Sequence, residues 1–288
     1  MGAKVRAIRR RSKAVTTTQQ ITRAMELIAA SRIVRAQARA LRARPFAKAI
    51  GEMIEMLTGE VQESPLLAER EVRKVGLVVI TSDRGLAGAY NSNVLREAER
   101  ARRRESEAGA EVEVSAIGRK GLQSFRFRRI PLVSEFTGMS DQPRYAQARQ
   151  IAEGVIERYI AGDIDKILLA YTDFVSMALQ RARVAQILPA PRQERDRAEE
   201  GPRAVFEFEP EPSALLDALL PRYVELKIFA AMLESAASEH AARRRAMKDA
   251  TDSATDLLKI LRRDENRARQ AEITSEIADL VGASEALQ

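Results

Sequence analysis

Long stretches with helical spacing of apolar residues occupy both ends of the chain. The first runs from Ala3 to Arg44 without proline or glycine, and its periodicity resumes beyond Pro45 as far as Thr58. The second runs from Arg222 to Val281 and is bounded by a proline and a glycine, which favour the start and the end of a helix respectively. As α-helices these stretches would be roughly 63 and 90 Å long. No compact core covers helices of that length, so each must pair with another helix or pass through a partner.

The apolar positions on both stretches form a thin seam rather than a wide stripe. The N-terminal seam consists of Val5, Ile8, Ser12, Val15, Gln19 and Thr22, and the C-terminal seam of Leu226, Ala230, Leu233, Ala237, His240, Met247, Ala254, Leu258 and Leu261. Apolar positions that recur about every 3.5 residues are typical of coiled coils. Two such helices at opposite ends of one chain can therefore pair as an antiparallel coiled coil. Small and polar residues fill so much of either seam that neither predicts a strong zipper by itself.

Between these stretches, strand and helix patterns alternate. Apolar, β-branched runs predict strands at Lys74–Thr81, Val112–Ile117, Lys166–Tyr171 and Gln180–Leu188, and helical periodicity predicts helices at 93–107 and 145–160, with a short helix or loop at 119–127. Such alternation is typical of an α/β domain with a mostly parallel sheet. The chain is therefore predicted to combine a central Rossmann-like α/β domain, residues 72–212, with coiled-coil helices in residues 1–58 and 213–288.

Composition removes several kinds of chemistry. The chain has no cysteine and one histidine, so disulfides, cysteine-based metal or redox sites and multi-histidine metal sites are excluded. No apolar run approaches the length of a membrane span. The basic residues behind the net charge of +7 are concentrated in residues 1–50, which carry thirteen Lys/Arg and a single acid, Glu26. A basic helix of this kind predicts either a solvated face or a surface for a polyanion or an acidic protein.

Two features invite a search for a catalytic or cofactor site. The turn Thr81–Gly88 follows a predicted strand and precedes a helix, but it matches neither the dinucleotide fingerprint nor the P-loop. We expect a structural turn there, with unusual backbone angles at Gly85 and Gly88 and with Asp83 as a cap. His240 has no second histidine or cysteine to complete a site, so a packed or interfacial histidine is expected. The sequence thus predicts no catalytic residue, no cofactor site and no metal site.

The basic N-terminal helix leaves two interpretations open. It could bind the phosphates of nucleic acid, with steep salt dependence, in a coiled-coil nucleic-acid-binding or scaffold protein. Against this, the segment lacks base-stacking aromatics and carries no recognition motif. A basic helix face that contacts acidic loops of a partner protein would account for the same residues.

Four sequence blocks resemble the gamma subunit of F-type ATP synthases. They are Thr18–Ser31 near the N-terminus, the turn Ser82–Gly88 followed by Asn91, the C-terminal pair Ser238–Arg243 and Ala246–Ala254, and finally Asn266–Gly282. The blocks fall in the family's order, and the resemblance covers essentially the whole chain. It implies a bacterial-type subunit whose terminal helices form the antiparallel coiled coil of a rotor shaft.

By that resemblance, the chain is a non-catalytic subunit that couples proton-driven rotation of a membrane c ring to ATP synthesis or hydrolysis. The catalytic sites belong to the beta subunits of a ring of alternating alpha and beta subunits. The expected partners are therefore alpha, beta, epsilon and the c ring, with no nucleic acid. The expected location is the cytoplasmic face of the bacterial cell membrane, as a peripheral protein.

The resemblance also implies contact residues. A rotor–stator contact is expected at Met25, Glu239, Arg243, Arg269, Gln270 and Thr274. An apolar bearing is expected at Ile273, Ile277 and Leu280, and a contact with the c ring or foot at Phe206, Phe208 and Glu209. Glu239 is further expected as a partner for such arginines, within the chain or across the contact.

Overall fold

The computed structural model describes residues 3–58, 64–190 and 211–285. Its helices and strands are α1 (Ala3–Thr58), β1 (Lys74–Ile80), α2 (Tyr90–Glu107), β2 (Glu111–Ile117), α3 (Arg119–Phe127), β3 (Leu132–Phe136), α4 (Tyr145–Ile160), β4 (Lys166–Phe174), β5 (Gln180–Leu188) and α5 (Pro212–Glu285). The chain divides into two compact units. The smaller one is formed by Met1–Ala30 and Arg243–Gln288, and the larger one by Ser31–Ala242.

A five-stranded sheet in the order β3-β2-β1-β4-β5 forms the centre of the larger unit. The first four strands run parallel, and β5 pairs antiparallel with β4. The mostly parallel α/β sheet predicted from the alternation of strands and helices is confirmed. β3 is an element that the hydrophobic pattern does not predict, because only five edge residues alternate between half-buried and exposed positions.

Both faces of the sheet are covered, which explains the continuous apolar run in β1. Leu77 and Val79 point into a cluster with α2 and α3, whereas Val78 and Ile80 point into a cluster on the other face, as the two-residue period of a strand requires. That second cluster contains α4 together with the end of α1 and the beginning of α5. The sheet therefore anchors one end of each long helix in its core.

The two long helices extend past the residues at which their sequences suggest interruptions. α1 contains Pro45, and α5 begins at Pro212, contains Pro221 and continues through Gly282 to Glu285. α5 thus begins ten residues before Arg222, where the stretch without proline or glycine starts, and close to residue 213, where the C-terminal segment was predicted to begin. Leu216 and Leu220 are fully buried in the core, and burying two leucines stabilises the extra turns by several kcal/mol, about as much as an internal proline costs.

The turn after β1 is structural, as predicted, but its strained residue is not the one expected. The buried Thr81 hydroxyl accepts a hydrogen bond from the Gly121 amide at 2.8 Å, and the Ser82 amide donates to Asn91 Oδ1 at 3.0 Å. Positive φ angles occur at Gly88 (54°) and at Leu86 (62°), whereas Gly85 has none. The turn therefore places the left-handed conformation on a leucine, at a small energetic cost.

Asp83 ties this turn to two other segments. Its carboxylate accepts backbone hydrogen bonds from Arg119, at the start of α3, and from Ser140, both at 3.2 Å. Its own amide donates to the Ser140 hydroxyl at 2.9 Å. Burial raises the pKa of Asp83, but backbone hydrogen bonds from Gly138, Ser140 and Arg119 outweigh burial, so that the pKa lies below its ordinary value of 3.8. Asp83 is thus held as an anion and caps α3.

Alanine at Gly118 should destabilise the protein far more than alanine at Gly109. Both glycines have strongly positive φ, +94° and +95°, so either change costs about 1–2 kcal/mol of backbone strain. At Gly118 a Cβ would lie 2.2 Å from the Thr81 carbonyl oxygen, whereas at Gly109 it would meet nothing within 4 Å. Urea titrations should therefore give a loss in the free energy of unfolding of about 4 kcal/mol or more for Gly118→Ala. Equal losses would contradict close packing of Gly118 against the turn.

Replacing Asp83 with asparagine should lower stability in a pH-dependent way. The depressed pKa of Asp83 contributes stability above the ordinary value of 3.8, and this contribution is lost as the pH falls through the lower folded-state value. At neutral pH, Asp83→Asn should reduce the free energy of unfolding by about 1–3 kcal/mol, because the amide replaces a charged acceptor. Urea unfolding should show this difference narrowing below pH 3.8.

The matched control for this titration is Asp252→Asn, at an exposed position on α5. It should leave the free energy of unfolding nearly unchanged at every pH. A difference for Asp83→Asn that stayed constant from neutral to acid pH would show that the carboxylate is not held as an anion.

Candidate functional site

The smaller unit is an antiparallel pair of helical segments from α1 and α5. Arg9 Nε donates to Glu265 Oε1 at 2.6 Å, and Gln19 Nε2 donates to Thr255 Oγ1, also at 2.6 Å. Further along, the Thr22 and Thr251 hydroxyls lie 2.8 Å apart. The residue numbers of the α5 partners decrease as those of the α1 residues increase, so the two segments run in opposite directions. The predicted antiparallel coiled coil is confirmed.

The seam of this helix pair is thin and partly polar, as its sequence predicts. Val5, Ala29, Met247, Leu258 and Leu261 are buried along it, together with Thr22 and Glu26. The hydroxyls in the seam also bond within their own helices, since the Thr251 hydroxyl donates to the Met247 carbonyl at 2.8 Å. Their hydrogen bonds satisfy polar groups that would otherwise be costly to bury. The pair is therefore held by small residues, hydroxyl contacts and the Arg9–Glu265 ion pair instead of a wide apolar core.

Met25 belongs to an exposed apolar face on α1. Met25 is half-buried, and Ile21 and Ile28 are 54% and 53% exposed. Positions separated by four and three residues share one side of a helix, so these three side chains form a continuous apolar strip. The i, i+4, i+7 spacing of Ile21, Met25 and Ile28 is visible in the sequence and marks the two isoleucines as neighbours of Met25 on this face.

The exposed end of α5 carries a second strip with the same spacing. Ile273, Ile277 and Leu280 are 48%, 56% and 71% exposed and share one side of the helix. Gln270 and Thr274 are exposed beside them, with the Thr274 hydroxyl donating to the Gln270 carbonyl at 2.9 Å. This end of α5 therefore presents both apolar and polar groups to its surroundings.

The predicted contact residues do not all lie together. Arg269 is exposed and donates to Asn266 Oδ1 at 2.7 Å. Because Arg9 pairs with Glu265 and Thr22 with Thr251, Met25 and Arg269 lie toward opposite ends of the paired region. These predicted contact residues therefore do not form one patch on the helix pair.

Glu239 and Arg243 differ from the other predicted contact residues because they are buried, at 2% and 7% exposure. They are four residues apart on α5. The predicted foot residues Phe206, Phe208 and Glu209 lie outside the described residues.

His240 is packed inside the larger unit, as expected, and it faces an acid. The residue is 1% exposed, and its Nε2 lies 3.3 Å from Asp141 Oδ1. Arg32 Nη1 donates to both carboxylate oxygens of Asp141, at 2.6 and 2.5 Å. A loop carboxylate thus meets one residue from each long helix, an arrangement that the sequence pattern does not suggest.

A second polar cluster joins α4 to α5. The Tyr145 hydroxyl donates to Glu225 Oε2 at 2.5 Å, and Arg222 Nη1 donates to the same oxygen at 3.1 Å. Burial, followed by the hydrogen bond to Glu225, raises the pKa of Tyr145. The Tyr145 ring also packs edge-on against Phe229, with centroids 5.6 Å apart. This cluster fixes α5 against the α/β domain.

Small side chains let α5 approach β4 closely. Ser235 and Ser238 are buried beside the sheet. The Thr172 amide donates to Ser235 Oγ at 3.3 Å, and the Ser238 hydroxyl donates to the Thr172 carbonyl at 3.2 Å. These bonds are positional contacts between two elements, and they assemble no acid, base and nucleophile.

Neither a metal centre nor a membrane span is found in the described part of the chain. Within residues 3–58, 64–190 and 211–285, no group of three or more His, Asp or Glu side chains could hold a metal ion. None of the helices in those ranges is long and apolar enough to cross a membrane.

Solved structures with a similar fold come from mitochondrial ATP synthases. A chain from the central stalk and c ring of the Tetrahymena thermophila enzyme is 25% identical, with a TM-score of 0.61, covering 80% of this chain and 99% of its own. A chain from the Euglena gracilis enzyme superimposes with a TM-score of 0.71 over all of this chain and 95% of its own, at 18% identity. The second likeness is one of fold alone.

Sequence relatives are closer. A family model described as ATP synthase matches residues 4–287. The ATP synthase gamma chain of Thermobifida fusca is 46% identical over 296 residues, which span all of this chain and 97% of the relative. That of Parafrankia sp. is 47% identical over 294 residues, spanning all of this chain and 99% of the relative. The resemblance seen in the four sequence blocks is thereby confirmed, and the nucleic-acid interpretation gains no support. The chain belongs to the ATP synthase gamma chain family.

Proposed function

We propose that this chain is the central rotor shaft of an F-type ATP synthase. In this role it couples rotation of the proton-driven c ring to ATP synthesis or hydrolysis in the surrounding ring of alpha and beta subunits. The observation that carries the proposal is the full-length similarity to ATP synthase gamma chains, 46% identity over 296 residues for Thermobifida fusca. The antiparallel pairing of α1 with α5 supports it, because a shaft needs long elements that stiffen each other.

The mechanism is coupling by differential contact. A shaft that presents a different side to each beta subunit favours a different conformation of each catalytic site, and turning the shaft exchanges those preferences. The shaft must avoid a deep minimum at any one angle. Small residues and mixed polar groups on the paired segments suit that requirement, because they offer many weak contacts and few strong ones.

In the proposal the chain is a non-catalytic subunit, and ATP chemistry belongs to the beta subunits. Its other partners are epsilon and the c ring. The complex is membrane-associated, and the chain is assigned to its cytoplasmic side in a bacterium as a peripheral protein. Residues 1–58 and 213–288 supply the coiled coil, and residues 72–212 supply the central α/β domain at the foot.

The contact residues are assigned to two zones and a foot. The strip Ile21, Met25 and Ile28 and the polar group Arg269, Gln270 and Thr274 meet the beta subunits, with Glu239 and Arg243 assigned to the same rotor–stator contact. The strip Ile273, Ile277 and Leu280 turns in an apolar bearing. Exposed apolar strips support the assignments of the two strips, because such strips are typical of surfaces that another protein covers. Glu239 and Arg243 are buried, so their assignment rests on the family resemblance alone. Phe206, Phe208 and Glu209 are assigned to the c-ring contact.

Reconstitution tests the shaft role directly. The purified chain should hydrolyse no ATP, whereas mixing it with alpha and beta subunits should give an assembly with steady ATP hydrolysis. A bead on the chain should then rotate in one direction when ATP is added to surface-fixed complexes. ATP turnover by the chain alone, or hydrolysing complexes in which the bead never turns, would contradict the proposal.

Polar substitution of the bearing strip should affect the complex but not the free chain. In Ile273→Ser/Ile277→Ser/Leu280→Ser, exposed side chains are replaced, so the free energy of unfolding of the isolated chain should change by no more than about 1 kcal/mol. Hydrolysis by the reconstituted complex should fall several-fold, because the strip loses its apolar contact. Steady-state ATPase assays and urea unfolding measure the two effects.

The matched control changes exposed residues on the opposite side of the same two turns, as Ser275→Ala/Ala278→Ser. Neither residue is three or four positions from a residue of the strip, so neither shares its side of the helix. Complex activity should therefore remain close to that of the unaltered chain. An equal loss in the control would show that the apolar strip has no special role.

A further inference from the structure

A continuous set of contacts leads from the turn after β1 to both long helices. Asp83 in that turn holds the backbone and the hydroxyl of Ser140. The next residue, Asp141, accepts two short hydrogen bonds from Arg32 of α1 and faces His240 of α5 across 3.3 Å. The loop between β3 and α4 therefore bridges the carboxyl edge of the sheet and both helices.

The contacts of Asp141 lie near the sequence boundaries of the larger unit. The larger compact unit comprises Ser31–Ala242. Arg32 is its second residue and His240 its third from last, so Asp141 meets α1 and α5 where each helix leaves the unit in sequence. A contact at this point bears on both helices at once.

The contacts of Asp141 with Arg32 and His240 are short and partly buried, and we expect them to resist displacement. Hydrogen bonds between ionised partners are shorter and stronger than neutral ones, and those of Arg32 to Asp141 are 2.6 and 2.5 Å long. The side chains of Arg32 and Asp141 are only 29% and 33% exposed, and that of His240 is 2% exposed. Partial burial reduces screening by solvent. Because Asp83 fixes the loop backbone at Ser140, the carboxylate of Asp141 is held to the sheet and does not simply follow the helices.

We propose that Asp141 is a positioning residue that transmits torque from the α/β domain to α1 and α5 together. This inference rests on the proposed rotor function. Both helices are anchored in the apolar core under the sheet, and Asp141 adds a polar tie near the residues where both helices leave the larger unit in sequence. Unequal torque on the two helices there would shear the thin seam between them, which is held by hydroxyls and the Arg9–Glu265 ion pair. A bridge that engages both helices divides the torque between them. In this proposal the turn Ser82–Gly88 contributes to torque transmission, because its Asp83 holds the loop that carries Asp141.

The test measures torsional stiffness in the assembled complex. The ring of alpha and beta subunits is fixed to a surface, and a bead is attached to the α/β domain through a biotinylated azide-bearing residue at position 107, which is exposed at the end of α2. The angular variance of the bead during pauses in rotation reports the compliance between domain and ring. Asp141→Asn removes the charge without changing the shape, and it should raise this variance about twofold or more.

The matched control is Glu135→Gln. Glu135 pairs with Arg126 Nη2 at 2.5 Å, so the control also removes an ion pair from the same α/β domain, but this pair joins β3 to α3 and does not reach either long helix. The variance should stay at the level of the unaltered chain. An unchanged variance in Asp141→Asn, or an equal rise in Glu135→Gln, would overturn the inference.

A covalent rescue separates torque transmission from simple stabilisation. The chain contains no cysteine, so Arg32→Cys/Asp141→Cys introduces its only two thiols. Bridging them before assembly with a short, thiol-cleavable cross-linker restores the tie to α1 but not the contact with His240. It should therefore lower the variance part of the way toward that of the unaltered chain, and cleavage by dithiothreitol should raise it again. Equal variance before and after cross-linking would also overturn the inference. Failure of the unaltered chain to rotate at all would contradict the proposed function instead.

Discussion

Burial of one sheet face beneath the inner ends of both long helices is the constraint on which the rest of the structure depends. Ile54 of α1 and Leu220 and Met232 of α5 belong to the same core cluster as Ile80 of β1. Residues from opposite ends of the sequence thus share one core, which holds α1 and α5 side by side within the larger unit. Hydrophobic burial of this kind is the dominant stabilising contribution to folding, and here it tolerates a proline within α5.

Away from that core, the helices depend on weaker and more specific interactions. The paired segments of α1 and α5 meet through hydroxyls, small residues and an ion pair, while Ile21, Ile28, Ile273 and Ile277 remain about half exposed. An isolated helix pair would gain stability by burying such side chains. Their exposure is consistent with the proposed shaft, whose outer surface must contact a surrounding ring without adhering at one angle. Each long helix therefore has one part that is anchored in the core under the sheet and another part whose apolar side chains are exposed.

In α5 and β3, tertiary contacts outweigh local sequence preferences. Pro221 locally favours a helix start, yet α5 begins at Pro212, close to the predicted residue 213, because Leu216 and Leu220 reach the core. Glycine normally supplies a positive φ, yet Leu86 adopts one where Gly85 was expected to. The edge strand β3 has too few apolar positions to give a strand signal, and it forms because β2 offers it a parallel hydrogen-bonding partner. For α5 and β3 the deciding neighbours are distant in sequence.

The sequence by itself determined the two long helices, the alternation of strands and helices, the exclusion of cysteine chemistry and the four blocks that resemble the gamma subunit. These are local properties, since periodicity, composition and short motifs can be recognised without knowing which residues meet in space. Only the tertiary structure decided that Asp141 meets Arg32, 109 residues away along the chain, and His240 as well. Nothing in the neighbourhood of any of the three marks it as a partner of the others. Their contact results from the packing of α1 and α5 against the sheet edge, where the Asp83 turn holds the loop that carries Asp141.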